Sequence, residues 1–155
     1  MSEPQRIPND QAVDLSFEQL EALPRGAILW EEEIRGGGRF MIRRDGFGLC
    51  GYVGIPRSHP RRQKLKSLVA VHFGIDFTEY GDGKSLDANF YWCGWEYGHL
   101  VDWEHPLPED VQHKNSRLER LSNRRRWTVL DILEDARPAL QILEGVLAAP
   151  AGREG

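Results

Sequence analysis

No apolar run in the sequence is long enough to cross a membrane, since a spanning helix needs about 20 consecutive apolar residues. The first residues also lack the basic stretch followed by an apolar one that marks a secretory signal. Cysteine is scarce: Cys50 and Cys93 are the only two, too few for a disulfide framework or a cysteine-based zinc site. We therefore expect a protein that is neither exported nor membrane-bound and that folds in a reducing cytoplasm.

The sequence is equally poor in catalytic signatures. It contains no HExxH, CxxC or P-loop motif, so none of the chemistries that those spacings support is indicated. Cys93 could act as a nucleophile with His99 as its base. However, Cys93 lies between Trp92 and Gly94, and this aromatic setting favours a buried, unreactive thiol.

Charges of one sign are grouped along the chain, although the net charge is only −4. Residues 35–66 are almost entirely basic among their charges, residues 76–110 almost entirely acidic, and a second basic run occupies 114–126. Such blocks are typical of solvated faces, and the alternative is a surface for a charged partner. On that alternative the candidate partner-binding residues are Asp82, Asp87, Glu109, Asp110, Arg61, Arg62, Arg124, Arg125 and Arg126.

Apolar periodicity predicts one domain of the α+β class at 15–147, between flexible ends at 1–14 and 148–155. Five strand-like runs lie within it, at 27–34, 39–44, 48–55, 68–77 and 89–97. Short connections between successive runs favour an antiparallel meander sheet of about five strands.

Two helices are predicted to flank the sheet. The residues from Ser16 to Gln19 form a capping box, which indicates a short N-terminal helix. An apolar side chain recurs every three or four residues from Val129 to Leu147, which indicates a longer C-terminal helix. Pro138 removes one backbone hydrogen bond, so we expect a kink or a break there.

The stretch from His59 to Asp102 contains most of the side chains that could bind a ligand or metal. Glu96, His99 and Asp102 are spaced three apart, and neighbouring strands could add His59 and His72. Together these groups could hold a divalent metal, whereas the simpler interpretation is that the histidines pack in a core. Trp92, Trp95 and Trp103 could stack on a planar ligand, or they could be core and rim residues.

Three segments between residues 51 and 102 resemble sequence blocks that occur together in a known group of proteins. Residues 51–60 read GYVGIPRSHP, residues 71–77 read VHFGIDF and residues 92–102 read WCGWEYGHLVD. They resemble the blocks GYVxxPxxHP, VHGGLT and WxGFDxxHxxD of a group of small uncharacterised bacteriophage and prophage proteins, which also finish in a helix. The chain departs from those blocks at Phe73 and at Trp95-Glu96, which stand in place of a glycine and of Phe-Asp. The resemblance marks His59, His72, Glu96, His99 and Asp102 as positions of interest and implies a phage origin.

Such an origin implies a small accessory protein that acts by binding a protein partner in the cytoplasm of the bacterial host. An inhibitor of a defence complex, resembling anti-CRISPR proteins, would fit. The acidic block could imitate phosphate charge, while the arginines could grip an acidic surface or nucleic acid. The alternative function is a metal-dependent hydrolase, or a nucleotide or small-ligand binder, in which two imidazoles and a carboxylate hold the metal and another carboxylate activates water.

The metal hypothesis predicts that protein purified without chelator carries about one equivalent of a divalent metal, and that His99→Ala lowers this content. Elemental analysis measures it. A clean absence of metal, with a melting temperature that added metal leaves unchanged, would contradict the hypothesis.

Overall fold

Five strands and three helices make up the described part of the chain, which in this computed structural model is residues 4–45, 48–65, 69, 71, 75, 77–84, 86–97 and 127–148. The strands are β1 (Ile28–Ile34), β2 (Gly38–Asp45), β3 (Gly48–Pro56), β4 (Phe77–Tyr80) and β5 (Phe90–Glu96). The helices are α1 (Asn9–Ala12), α2 (Phe17–Glu21) and α3 (Val129–Ala148), and a 3₁₀ turn lies at Arg62–Lys64.

The strands form one antiparallel sheet in the order β1-β2-β3-β5-β4, so the predicted α+β class and five-stranded antiparallel sheet are confirmed. The order departs from a plain meander at the last two strands, because β5 lies between β3 and β4. Neighbouring strands follow one another in sequence when their connection is short. The connection from β3 to β4 is long, at residues 57–76, and this leaves room for the later strand beside β3.

The fourth strand differs most from its prediction. Alternating apolar residues predict a strand at 68–77, but β4 begins only at Phe77, and the described residues Val69, Val71 and Ile75 lie outside any strand. Val69 is nevertheless buried, with 2% of its surface exposed. The other positions of the predicted strand before Phe77 lie outside the described part of the chain.

Aromatic rings lie against the backbone of the sheet where the facing residue is glycine. Phe77 is opposite Gly94 in the β4–β5 register, and a Cβ on Gly94 would overlap the Phe77 ring. A Cβ on Gly54 would approach within 2.9 Å of the Trp92 ring. Because glycine has no Cβ, each ring can contact the backbone directly at these positions. This contact explains why glycine is found inside these strands, which it would otherwise weaken.

The hairpin between β1 and β2 has the predicted glycine turn. Three residues, 35–37, join β1 to β2, and Gly36 and Gly37 have φ angles of 98° and 90°, a backbone conformation that glycine adopts without steric cost. The sequence prediction that these glycines permit a tight hairpin is therefore confirmed.

Both predicted helices are present. The Ser16 hydroxyl accepts from the Gln19 N–H at 3.2 Å, and the Gln19 side chain accepts from the Ser16 N–H at 2.9 Å, as a capping box requires. The longer helix, α3, is continuous through Pro138, so the predicted interruption is not confirmed. Pro138 and Glu134 are both exposed, and water can therefore reach the Glu134 carbonyl that loses its partner.

The chain divides into two compact units, the first drawn from Met1–Glu31, Met41–Gly51 and Glu96–Ile132. Within it the Arg44 side chain is fully buried, and its Nε donates to the Leu20 carbonyl at 3.2 Å. Burial lowers the pKa of Arg44, because the charged form is the one that loses hydration.

The second unit is drawn from Glu32–Phe40, Tyr52–Trp95 and Leu133–Gly155. Its core includes the stacked rings of Phe40 and Trp95, whose centroids are 6.2 Å apart. The domain bounds that the sequence suggests remain a prediction.

We predict that Gly94→Ala lowers the free energy of unfolding by about 1–3 kcal/mol, because the new methyl group must displace the Phe77 ring. Urea unfolding monitored by circular dichroism measures the change. The matched control is Gly145→Ala in α3, where a Cβ would meet no atom within 4 Å. This control should stabilise the protein by about 0.5–1 kcal/mol through helix propensity. Equal stability of Gly94→Ala and the parent protein would contradict the proposed ring contact.

Candidate functional site

The turn after β3 is built around His59. Its backbone N–H donates to the Pro56 carbonyl at 2.8 Å, and its ring Nδ1 accepts from the Arg61 N–H at 3.0 Å. The His59 carbonyl accepts from the Arg62 N–H at 3.2 Å, where the 3₁₀ turn begins. Asn and Asp side chains brace turns by accepting from the N–H two residues later, and the imidazole does the same here. His59 therefore fixes the turn from which the next arginines project.

Two arginines that follow β3 meet Tyr80, the last residue of β4. The Arg57 guanidinium lies over the Tyr80 ring, with its central carbon 4.4 Å from the ring centroid. Arg62 donates from Nε to the Tyr80 hydroxyl at 3.1 Å. The Tyr91 ring is opposite Tyr80 in the sheet and lies edge-on to it, with 4.8 Å between centroids. We call Arg57, Arg62, Tyr80 and Tyr91 the arginine–tyrosine cluster.

Backbone carbonyls hold both guanidinium groups of the cluster in place. Arg57 donates from Nη1 to the Ala88 carbonyl at 3.1 Å, and Arg62 donates from Nη1 to the His59 carbonyl at 3.3 Å. Arg57 is exposed and Tyr80 is 44% exposed, so a fixed guanidinium and part of an aromatic ring face solvent together. This arrangement is suited to binding an anionic group next to an apolar contact.

Two of the predicted acidic binding residues brace the loop between β4 and β5. Asp82 accepts through Oδ1 from the Lys84 and Leu86 N–H groups, at 2.8 and 3.3 Å. Asp87 accepts through Oδ1 from the Asn89 N–H at 2.8 Å. Both residues are exposed, so each carboxylate stabilises a turn and also places a negative charge on the surface. A charge reversal at either position would therefore disturb the loop in addition to the surface charge.

The predicted basic residues Arg61 and Arg62 play different parts. Arg61 donates from Nη1 to the Val146 carbonyl near the end of α3, at 3.2 Å. It thereby attaches the turn after β3 to the helix. Arg62 belongs to the arginine–tyrosine cluster, so of these two candidates it is the one placed beside an exposed aromatic ring.

The predicted stacking residues Trp92 and Trp95 are core residues in the structure, with 3% and 1% of their surfaces exposed. The Trp92 indole N–H donates to the Asp87 carbonyl at 3.0 Å. Neither indole offers an open face to a ligand. Tyr80, at the end of β4, does have an exposed ring. From the sequence it was expected only to be part of a turn.

The described members of the predicted metal set are His59 and Glu96. His59 uses Nδ1 within its own turn, near the Phe90 end of β5, because Arg57 donates to Asn89 there. Glu96 is the last residue of β5 and is exposed. Among the residues that the structure describes, no three His, Cys, Asp or Glu side chains are grouped so that they could hold a metal ion.

Cys93 is buried in the sheet with no exposed surface. Burial raises the pKa of its thiol to about 12, so the thiolate that a nucleophile requires is scarce at neutral pH. The prediction of an unreactive thiol is consistent with this setting.

Several predicted site residues lie outside the described part of the chain, and their proposed roles stay predictions. They are His72, His99, Asp102, Trp103, Glu109, Asp110, Arg124, Arg125 and Arg126.

No protein-family model, curated protein or solved structure matches the chain. Within the described ranges, no helix is both long enough and apolar enough to span a membrane.

We predict that His59→Ala lowers the free energy of unfolding by about 1 kcal/mol, because the Arg61 N–H loses its acceptor. His59→Asn should retain most of the stability, since an Asn side-chain oxygen can accept from the same N–H. Urea unfolding of both variants measures the difference. If alanine and asparagine had equal effects, the ring would not be bracing the turn.

Proposed function

We propose that the protein is a small accessory protein of phage or prophage origin that acts by binding a protein partner, with a bacterial defence complex as the partner we favour. The arginine–tyrosine cluster is the single observation that carries the proposal. It combines two guanidinium groups with a tyrosine that is 44% exposed. Arg and Tyr are enriched among the residues that supply most of the energy at protein interfaces.

Order in the cluster also favours binding. A flexible surface arginine must give up rotamer freedom when it meets a partner, and this loss weakens the complex. Arg57 is already held by the Ala88 carbonyl and the Tyr80 ring, and Arg62 by the His59 carbonyl and the Tyr80 hydroxyl. A partner would therefore meet side chains whose positions are largely set.

The hydrolase alternative receives less support from the described residues. A metal-dependent hydrolase needs imidazoles and carboxylates that converge. His59 instead uses its ring Nδ1 to support its own turn, and no three such groups converge among the described residues. The described groups that do converge are two guanidinium groups and two tyrosine rings. A guanidinium binds anions and, because it stays protonated, does not act as a base toward water.

The proposal predicts that the protein protects an infecting phage from a bacterial defence system. Co-expression in a strain with an active CRISPR-type defence should raise the plating efficiency of a targeted phage. Arg57→Gln combined with Arg62→Gln should reduce this effect by about tenfold or more, because charge-assisted contacts to the partner are lost.

Arg25→Gln is the matched control, because Arg25 is also an exposed arginine but lies outside the cluster. It should leave protection unchanged, and melting temperatures should show that all variants fold. No protection against any defence system tested, or equal protection by the double variant, would contradict the proposal.

A further inference from the structure

We infer that the arginine–tyrosine cluster docks an acidic peptide segment, in which aspartate or glutamate carboxylates meet Arg57 and Arg62 and an adjacent apolar group meets Tyr80. This inference deepens the proposed function and rests on it, since it names the chemistry of the partner's surface. It follows from the donors that the cluster presents, from the order of those donors and from the charge of the whole chain.

The guanidinium groups have N–H donors to spare. A guanidinium carries five N–H donors in a planar fork that matches a carboxylate. In the described residues, Arg57 gives one side-chain hydrogen bond, to Ala88, and Arg62 gives two, to Tyr80 and His59. Within that same part of the chain, neither arginine forms a salt bridge with a carboxylate. A carboxylate from outside would supply the missing countercharge.

The aromatic part of the cluster suits a peptide better than a nucleobase. One face of the Tyr80 ring is covered by Arg57, and Tyr91 lies edge-on to the ring. A nucleobase stacks on an open aromatic face. An apolar side chain next to an acidic one needs only ring edges and partial exposure, which Tyr80 provides.

The overall charge of the chain also favours a peptide over a nucleic acid. Nucleic-acid-binding domains usually carry a strongly basic face and a high isoelectric point. This chain has a net charge of −4 and a sequence pI near 5.7, so it lacks the high isoelectric point that is usual for such domains. A short acidic segment meets the local positive charge of Arg57 and Arg62 while contacting little of the remaining surface.

Fluorescence anisotropy tests the inference directly on the full chain. The probe is a short labelled peptide of alternating Glu and Leu residues, compared with the same peptide carrying Gln in place of Glu. Labelled oligothymidylate is the third probe. We expect the Glu peptide to bind, the Gln peptide to bind about tenfold more weakly, and added salt to weaken binding of the Glu peptide.

Three variants locate the binding surface. Arg57→Gln with Arg62→Gln should weaken Glu-peptide binding by about tenfold or more, and Arg25→Gln should leave it unchanged. Tyr80→Phe retains the ring beneath Arg57 but removes the hydroxyl that receives the Arg62 bond. It should weaken binding by a smaller factor, about twofold to fivefold, because only the order of Arg62 is lost.

The inference is overturned if the Gln peptide binds as well as the Glu peptide, if the double variant binds normally, or if neither peptide binds. Tighter binding of oligothymidylate than of the Glu peptide overturns it in favour of a nucleic-acid surface. Phage protection is a separate measurement. If the double variant loses protection while the parent protein binds no acidic peptide, the proposed function stands and the inference fails.

Discussion

The fit of aromatic rings onto strand glycines constrains most of the structure around the arginine–tyrosine cluster. Phe77 lies against Gly94, and this contact accompanies the register in which Tyr80 is opposite Tyr91. A slip of one residue in β4 would turn Tyr80 to the other face of the sheet. The ring contact at the start of β4 therefore determines which side chain meets the arginines at its end.

A second ring contact ties the strands to the loop before β5. The Trp92 ring packs on Gly54, and its indole N–H donates to the Asp87 carbonyl. Asp87 lies next to Ala88, whose carbonyl receives the Arg57 guanidinium. The position of Arg57 thus depends in part on the buried Trp92, through the loop residues Asp87 and Ala88. Asp87 also accepts from the Asn89 N–H through its side chain, so it contributes to the cluster through the geometry of the turn.

Local signals in the sequence predicted the elements that local interactions form. The capping box at Ser16, the glycines at the first hairpin and the apolar stripe of α3 each depend on residues within a few positions of one another. The cluster depends on distant pairs instead: Arg62 and Tyr80 are 18 positions apart, and Arg57 and Ala88 are 31 apart. No periodicity connects such pairs. Residue type did not indicate burial either, since Trp92 and Trp95 are buried whereas Tyr80 is exposed.

His59 shows that a candidate ligand residue can support the backbone of its own turn. A histidine next to proline suggests a ligand, and the ring nitrogen does accept a bond, but from the chain's own backbone. Turn bracing of this kind places Arg62, whose positive charge then lies with that of Arg57 beside one tyrosine. An anionic group bound at the cluster, as we infer, would be attracted by both charges. The turn that His59 supports would then influence binding through the position of Arg62.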